Sequence, residues 1–164
     1  MDIQEIYKKA DSLLIQELMI EDFSMRVTQS WGLNGFKRLH RHLEKWFNCK
    51  HIDLETSMFD RYRVVLNASV PTTTYNPSNL KTHIENYEQR IKTILNELAT
   101  LNFEHFKIVG VDNEVISETI HKLNKIYEKI SRYHNKFDKE NWNWDTIFYE
   151  DNLLHSKMKE SYDD

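Results

Sequence analysis

The chain of 164 residues predicts an all-α fold, a four-helix bundle with one long crossover between its second and third helices. Two observations carry this. The helix-breaking residues, three glycines and two prolines, fall in only three places: Gly32 with Gly35, Pro71 with Pro77, and Gly110. Between those places apolar residues recur at i, i+3, i+4 and i+7, the spacing of one buried helix face.

The first predicted helix, about 3–29, carries Ile3, Ile6, Ala10, Leu13, Leu14 and Ile20 on one stripe. The second, about 35–66, carries Phe36, Leu39, Leu43, Trp46, Phe47 and Leu54. The third, about 78–108, carries Leu80, Ile84, Tyr87, Ile91, Leu95 and Leu98. The fourth, about 113–138, carries Ile116, Ile120, Leu123, Tyr127 and Ile130. Each leaves its other side charged, so the four stripes bury one another. Residues 1–138 form this bundle. In 139–164 the pattern changes to an aromatic NWNWDTIFY and an acidic KESYDD, which predicts a short C-terminal capping element and a frayed tail.

The first and third breaks are a few residues long and predict antiparallel hairpins. The second, NASVPTTTYNPSN, is about a dozen residues and reaches about 40 Å when extended. A helix of ~28 residues is about 42 Å long, so this connection can run the length of the bundle and make its neighbours parallel. A slack loop in an up-down bundle, where 2–8 residues suffice, is the alternative.

Composition narrows the function. A net charge of -4 and a pI of about 6.1, with no basic tail, predict no nucleic-acid partner. No apolar run approaches the ~20 residues of a membrane span, and the N-terminus has no hydrophobic signal core, so the expected location is cytoplasmic. The single cysteine, Cys49, fits a reducing compartment. Beside His51 in mid-helix it has no third group to orient it as a nucleophile.

At 100° per residue, His40, Glu44, His51 and Glu55 share one line flanking the apolar stripe of the second helix, while His42 points away. On the first helix Glu17 lies inside the stripe and Glu21 at its edge; on the third, Glu88 lies at an edge. Buried carboxylates are costly unless paired or coordinated. A turn centred near Gly32 sets Glu21 opposite about residue 43, and a parallel third helix sets Glu88 as deep as Glu44. Four donors, Glu21, His40, Glu44 and Glu88, then meet at one level, and oxygen with imidazole suits iron or manganese. Edge residues paired with lysines or solvated are the alternative. Glu118-Thr119-Ile120-His121 has Glu-x-x-His spacing, but Glu118 points away from Ile116 and Leu123.

The stretch SWGLNGFKRLH followed by RHLE, then Asp60-Arg61-Tyr62-Arg63 before Pro71, and Gly110-Val111-Asp112 at the last helix, resembles the Dps-like mini-ferritins of the ferritin-like superfamily. The resemblance spans about 20–135. It implies metal ligands at His40 and Glu44, and at Asp60 where the family has glutamate. The family's earlier histidine falls on Ser30 and its aspartate on Thr56, so the implied set is degenerate. The resemblance implies a protein that self-associates into an oligomer and binds iron, storing it or oxidising it as a weak ferroxidase. Whether this chain is an enzyme stays open. The other reading is a catalytically silent ferritin-like bundle that meets a protein partner through the aromatic 142–149 segment.

Overall fold

The computed structural model describes residues 2–68, 70, 75–104 and 111–161, and the side chains of these apart from 102–104, 111, 112 and 159–161. Its regular structure is all helical, with no strand among the described residues. The elements are α1 (Ile3–Ser30), α2 (Asn34–Tyr62), α3 (Leu80–Glu104), α4 (Val111–Lys139) and α5 (Trp144–Ser161). Pro71, Gly110 and residues 162–164 lie outside the described residues.

Local chemistry sets the helix ends. Asp2 and Glu5 close α1 with a capping box. Its other end is a Schellman turn: Leu33 N–H donates to the Thr28 carbonyl and Gly32 N–H to that of Gln29. Gly32 supplies the left-handed residue at φ 73. α4 ends the same way, with Asn141 at φ 53 in the left-handed position and Trp142 N–H donating to Phe137. Asn79 and Asn143 side chains accept from backbone N–H groups at the starts of α3 and α5. α2 stops at Tyr62, four residues short of the expected end, because Arg63 turns left-handed at φ 56.

Contacts fix the directions. Glu21 meets His40 and Asp11 meets His51, so α1 and α2 are antiparallel. Trp31 lies on His83, while Gln16 and Thr93 line one cleft, so α3 is also antiparallel to α1. α2 and α3 therefore run the same way. α4 packs on α3 through Glu88 with Ser131 and His134, and on α2 through Lys50 with Glu118. The core runs through the middle of these helices, with Tyr7, Phe36, Phe47, Tyr87 and Phe137 its largest side chains.

The C-terminal region differs from the expectation of a short element. α5 is an 18-residue helix. It buries Ile147, Glu150, Asp151, Leu154 and Met158 on one face. Two acids inside that stripe disguise it in the sequence, and Asp151 is there for a reason. The N-cap of α2 is Leu33, which offers no side-chain cap of its own. The Asp151 carboxylate accepts the Phe36 N–H at 2.9 Å, with the Gly35 and Asn34 N–H groups also aimed at it. Those groups would otherwise be orphan donors at the helix start, and the carboxylate also meets the positive end of the helix dipole. Burial pushes the Asp151 carboxyl up, and the three donors offset part of that rise.

Candidate metal centre

Two histidine–carboxylate clusters lie between α1 and α2. The deeper is built on Glu17, Glu21 and His40, each 0 % exposed. His40 Nδ1 lies 2.8 Å from Glu21 Oε1, and the Tyr87 hydroxyl donates to Oε2 at 2.7 Å. With Glu21 as acceptor, Nδ1 of His40 carries the hydrogen. Glu17 sits one turn before Glu21, and as acceptors its two oxygens find no donor. Burial first, and then Glu21, hold its carboxyl well above the usual range. A neutral Glu17 donating to Glu21 accounts for this pair of carboxyls, while His40 Nε2 is buried without a partner. His83 closes the cluster, its ring 5.5 Å from that of His40 and its Nδ1 against the Tyr75 hydroxyl. Burial, and then His40, push His83 well below the ordinary histidine value.

The second cluster is Asp11, His51 and Glu55. Among the described residues it is the set of three donors whose ligating atoms all lie within 4.8 Å of one another. His51 Nδ1 is 2.5 Å from Asp11 Oδ1 and its Nε2 is 3.5 Å from Glu55 Oε1. Asp11 is 0 % exposed and its Oδ2 is buried with no partner. Glu55 is more open, at 36 % for its side chain, so the cluster has a buried floor and a solvent-facing side. Burial raises the Asp11 carboxyl to about 7, His51 opposes that rise, and Glu55 adds to it.

Of the residues expected to hold metal, the structure brings Glu21 and His40 together and sends the others elsewhere. Four residues advance a helix by 400°, so Glu44 lies 40° round from His40. It lines an outer cleft with Asp22, and burial and Asp22 raise its carboxyl. Glu88 follows Tyr87 by 100° and so faces α4 instead, where it accepts from Ser131 at 2.9 Å and pairs with His134. Asp60 is exposed, 20 residues and about 30 Å along α2 from His40. His51 and Glu55 share the helix line of His40 and are legible in the sequence. Asp11 is legible only through register: the pairing of 21 with 40 sets His51 opposite about residue 10. The Tyr75–His83 pair has no signal in the sequence.

Fold and site define an all-helical bundle with paired carboxylate–histidine clusters between two antiparallel helices. No family model and no curated protein matches the chain. Among the described residues no helix is long and apolar enough to cross a membrane.

Proposed function

We propose that the chain is a ferritin-like bundle that takes up a divalent transition metal, iron in the first place, at Asp11, His51 and Glu55. The observation that carries this is the convergence of two carboxylates and one imidazole from facing helices, with the buried Asp11 Oδ2 left without a donor. One nitrogen and carboxylate oxygens suit ferrous iron, manganese or zinc. Three protein donors leave coordination positions for water or substrate, and a bound iron would supply one-electron chemistry there. The residues supply the rest. Asp11 would form the buried anionic floor, His51 would give one ring nitrogen to the ion while the other stays on a carboxylate that orients it, and Glu55 faces the solvent side. The common direction of α2 and α3, with antiparallel hairpins before and after it, supports the ferritin-like reading, as does the helix-spanning reach of the connection between them.

In the core cluster, by contrast, both Glu21 oxygens are already engaged by His40 and Tyr87, while His40 Nε2 has no partner. An anaerobic titration with ferrous iron or manganese tests the assignment. Wild type binds one ion per chain at micromolar concentrations, and His51→Ala loses at least about tenfold in affinity, the range for a lost ligand or its supporting partner. His40→Ala retains the ion if it folds. Loss in His40→Ala with retention in His51→Ala moves the site to the core, and no uptake by wild type removes the metal reading.

The ion must displace the Asp11 proton, so affinity depends on pH. With Asp11 at about 7, the apparent affinity falls about tenfold per unit below that pH and levels off above it. A flat manganese affinity between pH 5 and 8 contradicts Asp11 as a ligand.

A second reading, a catalytically silent bundle with a protein partner, rests on the exposed Trp144, Phe148, Tyr149 and Leu153 of α5. The native mass separates the two: a ferritin-like shell is a multimer, and a one-to-one interaction module is not.

A further inference from the structure

A groove of about 350 Å³ runs between α2, α4 and α5, on a different face from the metal cluster. Its floor is apolar: Leu39 and Leu43 from α2, Ile126 from α4 and Met158 from α5. Its rim is cationic. Lys122, Lys125, Lys129 and Arg132 stand at successive turns of α4, against the single carboxylate of Glu128. Steps of three or four residues place such side chains about 5–6 Å apart. Lys157 of α5 adds its charge to that of Lys129.

This is not a general basicity, since the chain carries a net charge of -4. Three cations elsewhere are ion-paired: Lys50 with Glu118, Lys136 with Glu150 and Arg26 with Asp22. On the groove rim Lys125, Lys129 and Arg132 have no ion pair with any described carboxylate, and Lys122 lies over the Trp46 ring. Burial pushes the Lys122 and Lys129 ammonium groups down, and their cationic neighbours push them further. Like charges kept together at a cost, beside an apolar floor, fit a missing anion.

The size and the charge select its class. The volume lies within the ~300–1,000 Å³ of small-molecule sites and is too small for a docked helix. A single carboxylate would answer one of the four rim cations. A phosphate or diphosphate carries more charge on a compact head, and the planar fork of Arg132 matches phosphate oxygens two at a time. The floor requires an apolar or flat body on the same molecule. We infer that the groove binds a small phosphorylated ligand, a phosphate or diphosphate head seated on Lys125, Lys129 and Arg132 with an apolar or aromatic body on Leu39, Leu43 and Ile126. This site is independent of the metal cluster.

The test is a fluorescence titration of the full chain with N-methylanthraniloyl-ADP, which joins a diphosphate to an aromatic body. Pyrophosphate, dodecanoate and a short single-stranded DNA compete against it. The expected result is micromolar binding to wild type, with pyrophosphate and dodecanoate each at least about tenfold weaker because each supplies half of the recognition. Lys129→Gln with Arg132→Gln weakens the probe at least about tenfold while the helical signal holds, since the loss is of charge-assisted contacts on a surface groove. No binding below about 1 mM overturns the inference, as does binding unmoved by the double variant. Dodecanoate binding as tightly as the probe makes it a fatty-anion site, and tighter DNA binding makes it a polyanion face; either result overturns it.

Discussion

Gly35→Ala lowers the stability of the protein by about 2–4 kcal/mol, from about 1–3 for forced overpacking in a close helix contact and about 1 for the lost cap of α2. A Cβ built on Gly35 would lie 2.1 Å from the Asp151 carbonyl oxygen and 2.9 Å from the His155 nitrogen, both backbone atoms of α5. Neither can rotate away, so the whole of α5 must shift. The same shift draws the Asp151 carboxylate off the exposed N–H groups of Phe36, Gly35 and Asn34, and α2 loses its cap. The helix preference of alanine over glycine returns only about 1 kcal/mol. For a chain of this size the melting temperature drops by about 5–12 °C, read by thermal unfolding. Gly32→Ala is the contrast. Gly32 has a positive φ but open space around its Cα, so the change costs only the left-handed strain of about 1–2 kcal/mol. Equal losses at the two positions contradict the close approach of α5.

Glu21→Ala costs about 3–5 kcal/mol, the range for removing one partner of a buried charge network. The variant leaves the His40 Nδ1–H and the Tyr87 hydroxyl without an acceptor, both fully buried, and takes away the partner of Glu17. Urea unfolding shows it as a lower midpoint with an unchanged slope. A loss under about 1 kcal/mol means that the network is dispensable. Replacing Glu17, Glu21 and His40 with leucine and Tyr87 with phenylalanine together recovers part of the loss, because the whole network is removed and none of its members is left orphaned.

Glu17→Gln behaves in the opposite way. The native state holds Glu17 protonated while the unfolded chain releases that proton above about pH 4.3. The native pKa is the raised one, so stability from this group is full in acid and declines as pH rises through the window up to that value. Glutamine keeps a donor toward Glu21 and has no proton to lose. The variant is therefore at least as stable as wild type at neutral pH, and its advantage grows as the pH rises.

These residues show how much of the molecule is written in plain pattern. The first four helices are legible because breakers are scarce and apolar residues keep the helical period. α5 is not, because Glu150 and Asp151 occupy its buried stripe, and their reasons for being buried lie on other helices: Lys136 on α4 and the start of α2. No periodicity reports an interaction 115 residues away. The site divides in the same way. The pairing of Glu21 with His40 follows from the hairpin register alone. The expected convergence with Glu44 and Glu88 does not, because offsets of 40° and 100° decide which neighbour a side chain meets, and those depend on helix packing. Asp11 reads as one more surface acid until the same register is carried ten residues further, to His51.

The measurement that tests the account most directly is an anomalous-scattering map from crystals grown anaerobically with manganese. The account predicts one peak between α1 and α2, within coordination distance of donors of Asp11, His51 and Glu55. A peak instead between Glu21 and His40, or no peak between the two helices at a manganese concentration that saturates the solution titration, contradicts it.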